Sequence, residues 1–193
     1  MKRDIILAGV GGQGLLALAA VLGQAARGLG LHLKQAEVHG MAQRGGVVQS
    51  HVRFSDRPVH SDLVREGTAD LVLALEPMEA LRYLPYLKLD GALVSDTRPV
   101  RNIPDYPDVD RILAELRAIT PHRLVDAAAL AEQAGSPQAS NLVVLGAGSP
   151  FLGLPVKALE DGIRAVFADK AESVIAANLR GFRLGAEWTQ VAS

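Results

Sequence analysis

Cysteine is absent from this chain of 193 residues. Its absence excludes disulfides, zinc–thiolate sites and cysteine-ligated iron–sulfur clusters within the chain. We therefore expect a partner to supply any electron relay that the chain serves. Aromatic residues are also scarce, at 4%, and the formal net charge is only -1. A sequence with neither a basic patch nor a set of stacking aromatics is not expected to bind nucleic acid.

A long unbroken apolar run is missing as well. Lys2 and Arg3 precede a mostly apolar stretch over residues 5–26, but Asp4 and the glycines within 9–14 interrupt the pattern. A membrane-spanning helix needs about 20 apolar residues without such a break. We therefore expect a cytoplasmic chain that does not enter the membrane.

The common catalytic motifs are also missing. The sequence contains no G-x-S-x-G, no H-E-x-x-H, no P-loop and no cluster of acidic residues with metal-ligand spacing. We predict no metal site and no self-sufficient catalytic set. A chain of this kind is expected to work as a subunit.

The main pattern that is present lies near the start of the chain. Residues 5–10 form an apolar strand pattern that runs into a glycine turn at 9–14 and then into a helical pattern from Leu15 to about Leu29. A strand that feeds a helix through such a turn is typical of a parallel βαβ unit. With 49% hydrophobic residues, the length suits one domain over residues 1–193. We predict an α/β fold, Rossmann-like and three-layered, with a mainly parallel sheet and a helical C-terminal region.

Periodicity and turn residues predict the remaining elements. Strands are expected at 31–38, 48–54, 69–75, 92–95 and 123–126, and helices at 110–118 and 128–134. A helix should start at Glu76-Pro77 and run toward Leu87, kinked or shortened by Pro85 and followed by a turn at Asp90-Gly91. Residues 97–108 are predicted to form a surface excursion. Residues 141–148 fit a strand or a packed helix, of which the helix is favoured, and two more helices are expected between 156 and 187.

The glycine turn has two interpretations. In the first, the N-terminus of the helix faces a phosphate, a carboxylate or a partner's anionic cofactor. In the second, it is simply the first turn of an α/β sheet. In both interpretations Gly9 allows the tight turn, Gly11 a close approach of another group, and Gly14 close packing of helix and strand. The candidate anion- or cofactor-facing residues are Gly9, Gly11, Gly12, Gln13 and Gly14.

Residues 39–46 form a second unusual stretch, with neither helical nor strand periodicity. Glycines here surround a histidine, a glutamine and an arginine, which suits the close approach of an anionic or planar group better than a core. The candidate residues of this loop are His39, Gly40, Met41, Gln43, Arg44 and Gly45. His51 and Arg53, on the outer face of the next strand, would extend the same surface. The alternative is a solvated loop with ordinary polar residues.

Glu37 lies about twenty residues past the glycine turn, where a dinucleotide-binding Rossmann domain keeps the acid that binds a ribose hydroxyl. This position favours an NAD site. However, residues 39–46 lead into another strand instead of a second helix, which is a departure from the dinucleotide pattern. An NAD-dependent dehydrogenase therefore stays as an alternative, beside a non-catalytic Rossmann-like binding module.

Several blocks of the sequence closely resemble one protein family. They are residues 9–14, 37–46, 50–53 and 69–84, with Asn178, Phe182 and Gly185 near the end of the chain. The glycine turn alone is unspecific, whereas the blocks 37–46 and 69–84 together are highly specific. In these residues the chain resembles the β subunits of indolepyruvate:ferredoxin oxidoreductases, within the wider γ-domain family of 2-oxoacid:ferredoxin oxidoreductases. The resemblance covers nearly the whole chain.

The resemblance implies a two-subunit enzyme that oxidatively decarboxylates an arylpyruvate. The acyl group passes to coenzyme A and the electrons pass to ferredoxin. In that family thiamine diphosphate and the iron–sulfur clusters belong mainly to the larger α subunit, which agrees with the missing cysteines. The resemblance therefore implies that Glu37, His39, Gly40, Met41, Gln43, Arg44, Gly45 and His51 face the partner's active site or a cofactor.

The chain alone is then expected to be inactive and to bind neither NAD nor an iron–sulfur cluster. An obligate subunit is also expected to expose an apolar surface that the partner, or a second copy of the chain, buries.

Overall fold

One six-stranded sheet forms the centre of the fold. A computed structural model describes residues 1–39, 45–101 and 103–188. The strands are β1 (Lys2–Val10), β2 (His32–His39), β3 (Val47–Ser55), β4 (Ala69–Ala74), β5 (Leu87–Asp96) and β6 (His122–Val125). The helices are α1 (Leu15–Gly28), α2 (Pro77–Arg82), α3 (Val109–Arg117), α4 (Ala127–Gln133), α5 (Ser140–Leu152), α6 (Val156–Val166) and α7 (Glu172–Glu187). Two short 3-10 turns, Leu84–Tyr86 and Pro137–Ala139, connect some of them.

The sheet has the order β2-β3-β1-β4-β5-β6. β1, β4, β5 and β6 pair in parallel, whereas β3 is antiparallel to both of its neighbours, β1 and β2. The expected mainly parallel sheet is therefore confirmed, with one strand running the other way. β1 and β2 run in the same direction, as a βαβ unit requires, but β3 lies between them.

Side chains of the sheet alternate between two apolar cores, because neighbouring residues of a strand face opposite sides. On β1, Ile5 and Leu7 belong to the larger core, and Ile6 and Ala8 to the smaller one. The larger core is covered by α1 and α4 to α7, and the smaller by α2 and α3. The predicted three layers are thus present.

The ambiguous stretch 141–148 is helical, as favoured, and lies within α5. Most of α5 is buried on all sides, which explains why its sequence shows no clear amphipathic period. α5 packs directly on α7 through glycines. A Cβ added at Gly146 would overlap the backbone of Phe182, and one at Gly185 would overlap the backbone of Val143. Glycine at both positions therefore lets the two backbones approach closely.

Two local predictions after β4 turn out differently. α2 ends at Arg82, before Pro85, so the predicted shortening is confirmed, but Leu87 belongs to β5 and not to the helix. The expected turn at Asp90-Gly91 is wrong, because both residues lie within β5. The pairing of β4 with β5 shifts register between Ala69 and Leu71, and a Cβ at Gly91 would come within 2.8 Å of the Ala69 oxygen. The glycine marks a bulge with a close backbone approach.

Throughout the residues that the structure describes, no helix combines the length and apolar character needed to cross a membrane.

Candidate functional site

The candidate site lies where the parallel strands end, at the side of the sheet that we call its carboxyl edge. After β1 the chain continues into α1 on the larger-core side, and after the neighbouring β4 it continues into α2 on the opposite side. Such a reversal leaves a crevice beyond the carboxyl ends of the two strands, where open α/β sheets bind their ligands. The glycine turn follows β1 at this point, and the loop 39–46 begins at the end of β2 on the same edge.

The glycine turn is bonded directly to the end of that loop. Gly11 donates its N–H to the Gly46 oxygen at 2.8 Å, and its own oxygen accepts from the Gly45 N–H at 3.3 Å. The sequence presents the turn and the loop as separate features, and the structure joins them. Because its N–H is used in this way, Gly11 has no backbone donor left for an anion.

The other glycines of the turn are explained by close contacts at Gly9 and Gly14 and by positive φ angles at Gly12 and Gly14. At Gly9, a Cβ would lie 3.0 Å from Gln13 Oε1 and 3.3 Å from the Leu75 Cβ. Gly12 and Gly14 have positive φ angles of 105° and 81°. Gly14 was expected to let helix and strand pack closely, but its close neighbour is Asn141, in the first turn of α5. Asn141 donates Nδ2 to the Gly14 oxygen at 3.2 Å, so the contact joins two helix N-termini.

The Gln13 side chain binds the backbone on both sides of the crevice. Its Oε1 accepts from the Val10 N–H at 2.7 Å, and its Nε2 donates to the Leu75 oxygen at 2.7 Å. Both polar groups of the amide thus have partners within the chain. The interpretation of Gln13 as facing a cofactor is not supported by this geometry.

Glu37 and His39 lie on β2, which is the outermost strand on one side of the sheet. Glu37 is exposed and accepts a hydrogen bond of 2.7 Å from Gln35 Nε2. Since β3 separates β2 from β1, Glu37 is displaced from the glycine turn by two strand spacings, about 10 Å. A Rossmann acid lies next to its glycine turn, so this arrangement does not favour an NAD site. His39 ends β2 in register with Val48.

Gly40, Met41, Gln43 and Arg44 lie outside the described residues. What the structure supplies is the placement of the two loop ends, His39 on β2 and Gly45 beside Gly11. Both ends lie at the carboxyl edge of the sheet.

The expectation that His51 belongs to an exposed face of β3 is wrong. His51 is only 3% exposed, its Nδ1 accepts from the Val64 N–H at 3.0 Å, and its ring contacts Tyr86 edge-on. Burial, followed by the charge of Arg53, lowers the pKa of His51. Arg53 itself is bonded to Asp4 at 2.8 Å. The segment between β3 and β4, which lacks periodicity in the sequence, covers this face.

Glu76 is a site residue that the sequence analysis names only as the start of a helix. It is fully buried, caps α2 by accepting from the Glu79 N–H at 2.9 Å, and accepts from the Val100 N–H at 3.3 Å. The Tyr106 hydroxyl also donates to it. One carboxylate therefore holds two points of the excursion 97–108 against the end of β4. The sequence carried one signal for this role, because Glu76 directly follows an apolar strand and precedes a proline.

Asp96 is a second residue that the sequence analysis missed. It ends β5 and accepts from the backbone N–H groups of Arg98 at 3.2 Å and Ala127 at 3.3 Å. Burial raises the pKa of Asp96 from 3.8 to about 6, although these bonds act in the other direction. Together with Gln13 and Asn141 it lines a cavity of about 60 Å³, which is room for one or two water molecules.

Comparison with known proteins decides the family. Residues 4–188 match the pyruvate ferredoxin/flavodoxin oxidoreductase family. This chain belongs to that family. Within it, the chain is 39% identical to the indolepyruvate oxidoreductase subunit IorB of Archaeoglobus fulgidus, over 96% of this chain and 94% of the relative. It is 38% identical to the subunit of the same name from Pyrococcus horikoshii, over 95% and 94% of the two chains.

Solved structures of the family agree with the fold. The pyruvate oxidoreductase subunit PORC of Thermotoga maritima superposes with a TM-score of 0.72 at 25% identity, and the match covers 96% of each chain. In this chain, the described residues include no group of three or more His, Asp or Glu side chains that could hold a metal ion.

The raised pKa of Asp96 predicts a pH-dependent stability. Because the folded chain holds the proton more tightly than the unfolded chain, the stabilisation is complete below about pH 4 and is lost as the pH rises through about 6. Asp96→Asn removes this dependence. The difference in unfolding free energy, Asn variant minus wild type, should be larger at pH 7 than at pH 4.5, by about 2 kcal/mol. Urea denaturation at both pH values measures it, with exposed Asp105→Asn as control. A difference that does not change with pH would contradict this role of Asp96.

Proposed function

We propose that this chain is the smaller subunit of a thiamine-dependent indolepyruvate:ferredoxin oxidoreductase. The complete enzyme converts an arylpyruvate and coenzyme A to an acyl-coenzyme A and CO2, and passes two electrons to ferredoxin. The observation that carries the proposal is the near full-length similarity, at 39% and 38% identity, to two subunits named for indolepyruvate oxidoreductases.

The lack of cysteine supports a division of the chemistry between two subunits. Without cysteine, this chain has no thiolate ligands for an iron–sulfur cluster. We therefore assign the clusters and thiamine diphosphate to a larger α subunit, through which electrons reach ferredoxin, and coenzyme A to the role of co-substrate. We assign exposed apolar side chains, such as Val38 on β2 and Leu89 on β5, to a contact with that subunit or with a second copy.

We assign the loop 39–46 to the active site that the α subunit completes. Its ends lie on the carboxyl edge of the sheet, at His39 and at Gly45, next to the crevice between β1 and β4. In this assignment Arg44 and Gln43 bind the carboxylate of the 2-oxoacid or the phosphates of thiamine diphosphate or coenzyme A. A guanidinium suits either anion, because it offers donors in a fixed planar fork.

Neither alternative function has equal support. An NAD-dependent dehydrogenase would place Glu37 close to the glycine turn, whereas β3 lies between β2 and β1. A non-catalytic binding module predicts that the assembled complex has no oxidoreductase activity, which the first test measures.

The first test is activity. We expect the chain alone to be inactive and the complex coexpressed with an α subunit to reduce ferredoxin in the presence of indolepyruvate and coenzyme A. Ferredoxin reduction is followed by its visible absorbance, with phenylpyruvate and 2-oxoglutarate as comparison substrates. An assembled, cofactor-loaded complex that reduces ferredoxin with none of these 2-oxoacids would refute the proposed function.

The second test concerns Arg44. Arg44→Ala and Arg44→Lys should each lower turnover of the complex by roughly tenfold or more, since a lost charged hydrogen bond costs on the order of 1.5–3 kcal/mol. Lysine should not substitute, because it lacks the planar fork. Steady-state kinetics of the complex measures both variants.

Arg27→Ala is the matched control for Arg44. Arg27 is exposed in the last turn of α1, about 20 Å from the carboxyl edge along the helix. Unchanged kinetics in both Arg44 variants, with normal assembly, would show that Arg44 is an ordinary solvated arginine.

A further inference from the structure

Gln13 extends the pairing of β1 with β4 beyond the end of β4. The last backbone bond between the two strands runs from the Leu75 N–H to the Ala8 oxygen, at 2.9 Å. Alternate residues of a strand direct their backbone groups to the same side, so the next donor of β1 on this side is the Val10 N–H. In a regular parallel ladder its acceptor would be the Leu75 oxygen. The Gln13 amide is inserted between these two groups, because its Oε1 accepts from the Val10 N–H and its Nε2 donates to the Leu75 oxygen.

The other side of β1 is extended in the same way, by the loop. Gly11 directs its backbone groups toward β3, one residue beyond the last pair of strand residues, Val10 and Val47. It exchanges two hydrogen bonds there, with Gly45 and Gly46. Since Gly12 has a φ of 105°, the chain leaves the sheet immediately after Gly11. The loop end is therefore attached to the last extended residue of β1.

We infer that Gln13 is a positioning residue for Gly45 and Gly46, where the loop 39–46 joins β3. By bonding Val10 on the β4 side, it keeps the end of β1 extended, so that Gly11 stays in line with Gly45 and Gly46 on the β3 side. Arg44 directly precedes Gly45 in the sequence, so an effect of Gln13 on catalysis would pass through the attachment of Gly45. The catalytic consequence rests on the proposed function of the loop, whereas the structural consequence does not.

A role of Gln13 in direct ligand binding is the competing explanation. It would require the amide to give up one of two bonds of 2.7 Å to the backbone. The two explanations predict different behaviour in variants that lack Arg44. A positioning residue acts through Arg44, whereas a ligand-binding residue acts beside it.

The first test uses the full chain without any partner. Gln13→Met keeps the volume of the side chain and removes both hydrogen bonds. Trypsin cleavage of the Arg44–Gly45 bond, followed by mass spectrometry of the fragment 1–44, should then be roughly three- to tenfold faster than in the wild type, because a weaker attachment opens more often. The matched control is Gln24→Met, at an exposed position on α1. Equal cleavage rates in the Gln13 and Gln24 variants would overturn the inference.

The second test is a double-mutant cycle in the assembled enzyme. Gln13→Met should lower kcat/KM in the wild-type background, but should change it by less than about twofold in the Arg44→Ala background, since residues that act as a unit are not additive. An equal loss in both backgrounds would overturn the positioning role and favour direct ligand binding by Gln13.

A partial variant keeps the test valid if Gln13→Met does not fold. Gln13→Glu retains an oxygen that accepts from Val10 but cannot donate to Leu75 in its ionised form. Its cleavage rate should lie between those of the wild type and the methionine variant, and a wild-type rate would contradict the role of the Leu75 bond. A wild-type complex without oxidoreductase activity would refute the proposed function, while the cleavage experiment would still decide the role of Gln13.

Discussion

The carboxyl edge of the sheet depends on how β1 ends. Val10 and Gly11 are the last extended residues before the chain turns into α1, and they are bonded on opposite sides, Val10 to Gln13 and Gly11 to Gly45 and Gly46. These bonds attach the end of β1 to β4 on one side and to the start of β3 on the other. They lie where the helices that follow β1 and β4 leave toward opposite faces of the sheet. Gly45 and Gly46, at the end of the loop 39–46, and Gln13, before α1, are thereby attached to opposite sides of the end of β1.

Two buried carboxylates hold the neighbouring segments at the same edge. Glu76 joins the beginning of α2 to the excursion after β5, and Asp96 joins the end of β5 to the start of α4. Each carboxylate accepts backbone N–H groups that have no partner in the sheet. Burying such an acid costs less when it accepts hydrogen bonds, as both Glu76 and Asp96 do. At the carboxyl edge, these side chains therefore fix the positions of backbone segments. Such an arrangement suits a subunit that completes a site in a partner.

Much of the fold follows from local sequence patterns. The glycine turn with α1 and the apolar strand β4 were predictable because periodicity and turn residues within each segment determine them. The helix α5 was only favoured over a strand, because a helix that is buried on all sides shows no clear period. The insertion of β3 between β1 and β2 was not, because strand pairing depends on contacts between distant residues. The burial of His51 was missed for the same reason, since the segment that covers it carries no periodic pattern.

The candidate site was predictable only in part. Glycines and charged residues in 39–46 indicated an unusual loop, and the resemblance to the oxidoreductase family indicated a partner. The bond between Gly11 and the loop end left no signal in the sequence. Gln13 was singled out with the glycines, but its side chain binds backbone on both sides of the crevice, which only the folded arrangement reveals.

Hydrogen–deuterium exchange of the chain, alone and assembled with its α subunit, tests most directly whether the loop enters the partner's site. The account predicts that the amides of residues 40–44 gain protection on assembly, while the N–H groups of Gly11 and Gly45 are already protected in the chain alone, because both are hydrogen-bonded there. Unchanged exchange of residues 40–44, with new protection confined to other surfaces, would contradict it.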